Sequence, residues 1–214
     1  VKLEWEPPDG AATVFGPRLQ VARRYVEWLG TAGIERGLVG PREADRLWER
    51  HVLNCAVVGD LIDEGERVCD VGSGAGLPGV ALAIARPDLD VVLLEPMQRR
   101  VDFLEETVER LGLPGVTVVR GRGGEFRPDV PFDVTTARAV AKMGRLAEWS
   151  AGLLRPGGRL LALKGESVYE ELRREAKVLR RHGMSSWTVE SVGGDVVSPA
   201  TVVAVVMNDG RSGP

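Results

Sequence analysis

The sequence predicts a doubly wound α/β sheet of seven strands, mostly parallel with the last strand antiparallel, behind a helical N-terminal extension. Three observations predict it. Short runs that are apolar on both faces, such as Val91–Leu94 and Leu160–Leu163, alternate with helical patterns from residue 67 onward, as buried parallel strands do. The stretch Arg67–Gly79 reads strand, glycine cluster, helix, which is the joint where a parallel sheet meets a nucleotide-like ligand. Ser186–Val192 and Ala200–Met207 are separated by Gly193-Gly194-Asp195 with no helical pattern between them, which predicts a terminal antiparallel hairpin.

Residues 1–15 lack periodicity and are rich in Pro and Gly, so they read as a loose arm. Gly16-Pro17 opens a helix with Leu19, Ala22, Tyr25, Val26 and Leu29 on one face. Residues 30–40 form a glycine-rich connector. Pro41 starts a second helix with Leu47, Trp48, Val52, Cys55 and Val58 inward. Arg42, Arg46 and Arg50 form its basic edge, either a solvated face balanced by Glu43, Asp45 and Glu49 or a lid that touches a polyanion. Strands are expected at 68–71, 91–95, 116–120, 132–137 and 159–164, with helices at 77–85, 98–111, 146–154 and 168–182. Right-handed crossovers connect them. The boundary falls between a layer of arm and helices, 1–64, and the sheet domain, 65–210.

Composition narrows the setting. A net charge of −3 does not advertise nucleic-acid binding, so any such contact must come from local basic patches. No apolar run of about 18 residues exists and the first residues have no signal-peptide pattern, so no membrane partner is expected. Two cysteines cannot build a disulfide framework, which points to a reducing cytoplasm. A monomer without metal is expected.

The glycine joint admits two readings. Gly74, Gly76 and Gly79 match the dinucleotide pattern G-x-G-x-x-G, which keeps a nicotinamide-dependent oxidoreductase in view. The frame Asp70-x-Gly72-x-Gly74-x-Gly76, beginning at the strand end, resembles instead the first motif of the class I, Rossmann-like S-adenosylmethionine methyltransferases. Glu95, closing the second strand, suits either, because a carboxylate there accepts hydrogen bonds from ribose hydroxyls. The terminal hairpin decides for the methyltransferase. No pair of histidine and carboxylate suits hydride exchange, and His51 and His182 read as structural. Where amine methylases carry a Pro-Pro-aromatic turn this chain has Asp133–Arg138, and neither Cys55 nor Cys69 is placed as a cytosine-attacking nucleophile.

Leu47–Leu53, Asp70–Gly79, Leu93–Pro96 with Arg100–Leu104, Ala137–Ala139 and Leu163–Gly165, in this order and spacing, resemble the bacterial 16S rRNA guanine-N7 methyltransferases, also called glucose-inhibited division protein B. The resemblance implies S-adenosylmethionine as cofactor, N7 of guanine 527 in 16S rRNA as acceptor, and the small ribosomal subunit as partner. It places the methionine part of the cofactor over Gly72, Gly74, Gly76 and Leu77, the ribose on Glu95, and the adenine by Gly123 and Gly124. Arg138 is implied at the methyl-transfer end, with a cofactor or phosphate role favoured over a structural ion pair. Lys164 is a second candidate expected to point into the same crevice. Family members usually carry Ala-Glu where this chain has Gly123-Gly124, which leaves backbone contacts to adenine but predicts a floppier loop and weaker cofactor binding. Candidate RNA contacts are Arg122, Lys142, Arg145 and Arg50, with Arg120, Arg127, Arg42 and Arg46 near them. The run from Arg173 to Arg181 reads as a solvated face. Guanine N7 carries a lone pair and no proton, which agrees with a sequence in which no general base is evident. A methyltransferase acting on a small molecule or protein remains the alternative.

Overall fold

The computed structural model describes residues 5–165 and 167–210. Strands β1 (Arg67–Val71), β2 (Asp90–Glu95), β3 (Val116–Arg120), β4 (Phe132–Arg138), β5 (Leu154–Lys164), β6 (Ser186–Val192) and β7 (Thr201–Met207) form one sheet in the order β3-β2-β1-β4-β5-β7-β6. The first five run parallel, and β7 lies antiparallel between β5 and β6. Strand order reverses between β1 and β4, and a crevice opens there beyond the carboxyl ends of the strands.

Period-two alternation sends successive side chains to opposite faces, and both faces are buried. Val68, Val91, Leu93, Leu161 and Val203 enter one core. Leu160, Ala162, Ala204 and Val206 enter a second, under α6 (Met143–Ala151) and α7 (Val168–Arg181). Cys69, Val71, Val92 and Leu94 fill a third, smaller cluster, where Phe126 and Trp149 pack in the absence of a helix between β3 and β4 among the described residues. Helices α4 (Gly79–Ala85) and α5 (Gln98–Leu111) cover the first core. Gly112 closes α5 in the left-handed region (φ 63°), which is why the periodic pattern stops where it does.

The N-terminal layer joins that first core. Helix α1 (Asp9–Phe15) buries Ala11 and Phe15, so residues 5–15 are not the loose arm expected; residues 1–4 lie outside the described residues. Trp5 donates its indole N–H to the Ala44 carbonyl (3.0 Å), and Trp48 donates back to the Trp5 carbonyl (2.8 Å). Helix α2 (Leu19–Trp28) buries Ala22, Tyr25 and Val26 as expected, then continues into a π turn over Leu29–Gly33, so the connector is shorter than predicted. Trp28 stacks on Phe103 of α5 at 5.6 Å between ring centroids.

The expected second helix is broken. A 3-10 stretch (Pro41–Arg46), a π stretch (Leu47–Leu53), the short α3 (Asn54–Ala56) and a 3-10 turn (Val57–Leu61) follow one another. The apolar face is preserved, with Leu47, Val52, Cys55 and Val58 essentially inaccessible. What the pattern could not show is the change of pitch. At Asn54 the backbone N–H turns to the His51 carbonyl, and the Arg50 carbonyl accepts side chains instead. The helix expected at 146–154 spans 143–151, because Leu154 already pairs with Phe132 as the start of β5.

Candidate active site

A cavity of about 840 Å³ lies in the crevice, walled by the glycine loop after β1, the end of β2, the loop after β3, the end of β4 and the N-terminal layer. That size suits a cofactor together with part of a substrate.

The glycine loop is bare backbone facing the cavity. Gly72 (φ 77°) and Gly74 line it, and a Cβ on Gly72 would lie 2.9 Å from Val140 Cγ1. Leu77 lines it too. Gly76 does not. Its φ of 95° demands glycine, and a Cβ there would fall 2.9 Å from Tyr25 Oη, so it shapes the loop from behind rather than touching a ligand. The Tyr25 hydroxyl donates to the Ala75 carbonyl (2.9 Å) and ties the loop to α2. Asp70 lies beneath the loop, accepting from the Gly79 N–H (3.0 Å) and the Thr136 hydroxyl (3.2 Å). Burial pushes its carboxyl up to about 6, with the Glu95 charge adding to the rise.

Glu95 is 1% exposed yet lines the cavity. Its two oxygens accept from the Gly74 and Met97 N–H groups, each at 3.0 Å, and Arg100 stands 3.7 Å away. A carboxylate has about four acceptor positions, so two remain for ribose hydroxyls. Gly123 and Gly124 line the far end, and their N–H groups meet no protein acceptor among the described residues. The pair faces an aromatic side chain. Trp149 covers it, and a Cβ on Gly123 would lie 2.9 Å from Trp149 Cβ, so the glycines make room for an indole. Trp149 and Met97 supply apolar surface at this end, and sequence reasoning missed both. Free amides, a buried carboxylate and an apolar platform fit adenosine.

At the other end Arg138 donates to the Cys55 sulfur (3.2 Å), to the Arg50 carbonyl (3.3 Å) and to His51 Nδ1 (2.6 Å). Among the described residues it has no carboxylate partner within ion-pair distance, so it is not the plain ion pair weighed from sequence. His51 Nε2 in turn bonds Glu43 at 2.8 Å. Since Arg138 can only donate, Nδ1 accepts and the ring proton sits on Nε2. Burial first, then the Arg138 charge, lowers the His51 pKa and keeps the ring neutral. The His51 hydrogen bond holds Glu43 below the usual carboxylate range, so it is ionised. Glu43 and His51 line the cavity beside Arg138, a role not assigned to them from sequence. Burial drives both thiols up, Cys55 to about 11.

Lys164 is corrected. Its Nζ bonds Glu171 (3.2 Å) and the Ala141 carbonyl (2.9 Å), and it stands outside the cavity lining, bracing the loop after β4. Among the RNA candidates, Arg122 and Arg145 stand on the cavity rim, their side chains 71% and 58% exposed. Arg50 and Lys142 are exposed beyond the lining, as are Arg42, Arg46 and Arg120. Arg127 bonds the Gly124 carbonyl (3.1 Å) and braces the loop. His182 caps the end of α7.

A last strand slotted antiparallel between β5 and β6 separates methyltransferase sheets from dinucleotide-binding ones, so the fold is that of a class I S-adenosylmethionine-dependent methyltransferase. A solved S-adenosylmethionine-dependent O-methyltransferase from Thermotoga maritima has this fold at a TM-score of 0.57, with 16% identity over 87% of this chain and 72% of that one. The family model for rRNA small subunit methyltransferase G matches residues 18–197. The chain is 56% identical to the ribosomal RNA small subunit methyltransferase G of Mycolicibacterium gilvum over 93% of its own length and 88% of the relative's. It is 53% identical to that of Streptomyces avermitilis, over 96% and 87% respectively. The chain belongs to the rRNA small subunit methyltransferase G family, and it is a methyltransferase whose cofactor is S-adenosylmethionine. The nicotinamide alternative falls with this.

Proposed function

We propose that the chain methylates N7 of guanine 527 in 16S rRNA within the small ribosomal subunit. The observation that carries the reading is that neither His51 nor a cysteine beside Arg138 is available as a base or nucleophile. Both nitrogens of His51 are engaged, and burial keeps both cysteines as thiols. Guanine N7 suits such a site, because it attacks with its own lone pair and has no proton to lose. When bound, S-adenosylmethionine supplies an electrophilic methyl group on sulfur, which leaves as the sulfur keeps the bonding pair.

The residues align and desolvate. Glu95 holds the ribose, and the Gly123 and Gly124 amides hold the adenine under Trp149. The bare backbone at Gly72 and Gly74 receives the methionine part, and Arg138 is free of carboxylates to bind its carboxyl group. Gly76 acts by shaping that loop. Arg122, Arg145, Arg50 and Lys142 are the phosphate contacts, so binding weakens as salt rises. A single guanine must be looped out to reach the cavity. Labelled methyl transfer to small subunits from a strain lacking the gene tests this. The expected product is 7-methylguanosine at position 527; label on another atom, or on another nucleotide, contradicts it.

A further inference from the structure

We propose that Glu43 selects the target base, its carboxylate accepting hydrogen bonds from N1–H and the N2 amine of the incoming guanine; this rests on the guanine-N7 reading above. Among the described residues four carboxylates line the cavity: Glu43, Glu95, Glu125 and Glu148. Glu95 already serves the Gly74 and Met97 amides at the ribose position. Glu125 and Glu148 flank the Gly124 and Trp149 end, where they pair with Arg122 and Arg145. Glu43 alone among these is joined to Arg138, through the 2.8 Å and 2.6 Å contacts of His51.

The chemistry of the base points the same way. A guanine that turns N7 toward the cofactor turns its N1 and N2 edge away from it, toward the wall the cofactor does not use. That wall is the N-terminal layer, and Glu43 is its acidic group. One Glu43 oxygen accepts from His51 and the other stands 3.6 Å from Arg50, so each keeps a lone pair for a parallel pair of donors. The side chain is 30% exposed, accessible yet held. Next to it the surface is open: a Cβ on Gly40 would meet only Glu43 Cγ, at 3.9 Å. Leu38 and Val140, both on the lining, offer apolar surface to the faces of a base. A carboxylate among Arg42, Arg46 and Arg50 repels a polyanion, and reading a donor edge gives it a use there. Adenine presents a bare N1 lone pair at the same edge and is rejected by repulsion.

The test compares reconstituted small subunits carrying guanosine or inosine at the methylated position; inosine keeps N7, O6 and N1–H but lacks the N2 amine. Wild-type transfer should fall roughly tenfold or more on inosine, as loss of a hydrogen bond to a charged acceptor does. Glu43→Gln retains an acceptor for His51 while turning the other atom into a donor. It should slow transfer to guanosine by a similar factor, lose most of the guanosine–inosine difference, and bind S-adenosylmethionine as tightly as wild type. Equal wild-type rates on the two bases overturn the proposal, as does Glu43→Gln discriminating as wild type does. If the variant does not fold, the wild-type ratio decides. Failure of the parent reading looks different: wild type then puts no methyl on guanine N7 at all.

Discussion

His51 sets the hydrogen-bond direction at the Arg138 end of the cavity. Neutral, with its proton on Nε2, it accepts from Arg138 and donates to Glu43. A histidine whose folded pKa is lowered contributes stability above its unfolded value, and that contribution is lost as pH falls through the folded one. Protonation also removes the acceptor from Arg138 and sets two cations side by side, while Glu43 alone opposes them and Arg50 adds to the repulsion. Methyl transfer should therefore drop several-fold on acidification below the ordinary histidine range. His51→Gln can accept from Arg138 and donate to Glu43 at every pH, so its profile should lack that acid limb. Identical profiles for the two proteins would show that His51 does not govern the site's acid response. The same scale explains why the packing around Gly123 and Gly124 was not foreseen. Nothing local in Arg122-Gly-Gly-Glu125 announces an indole 26 residues further along the chain, and only the fold brings Trp149 over the pair.

At the scale of elements, the glycine loop is held from behind by a helix that sequence alone assigned to a separate layer. Tyr25 of α2 is fully buried, and its hydroxyl reaches the Ala75 carbonyl. Tyr25→Phe leaves that carbonyl without its donor, a loss of about 1–3 kcal/mol. A lower denaturation midpoint is expected together with a several-fold weaker grip on S-adenosylmethionine; a destabilised protein with unchanged affinity would show that α2 does not position the loop. Elements defined by local signals were legible in advance. The bounds of α5 and β3 follow from the apolar period and from Gly112, and the glycine loop from its own residues. Elements defined by distant partners were not. Trp5 is fixed by Ala44 and Trp48, roughly forty residues away, so its segment read as an arm. Within the broken helix over residues 41–61, the Arg50 carbonyl accepts from Arg138 of β4. Lys164, ending the fifth strand, was expected to point into the crevice, but it pairs with Glu171 on α7 instead.

Over the whole molecule, the N-terminal layer and the sheet share one core and one cavity. Phe15, Tyr25, Leu47 and Val52 pack in the cluster that holds Val68, Leu93 and Leu161, and the layer supplies Glu43 and His51 to the site. The helices before residue 64 thus pack on the core of the sheet. Both the carboxyl edge of the sheet and the N-terminal layer wall the cavity. Among the described residues no helix is long and apolar enough to cross a membrane. The family and the cofactor were both within reach of the sequence, because the motifs that carry them are runs of adjacent residues. The Glu43–His51–Arg138 chain was not, because these residues meet only in the fold. Calorimetric titration of S-adenosylmethionine into wild type and Glu95→Gln tests most directly whether this cavity is the donor site. A single site weakened roughly tenfold or more by the substitution is predicted, as loss of a charged acceptor for the ribose requires. Equal affinity in the two proteins would place the cofactor elsewhere and contradict the account.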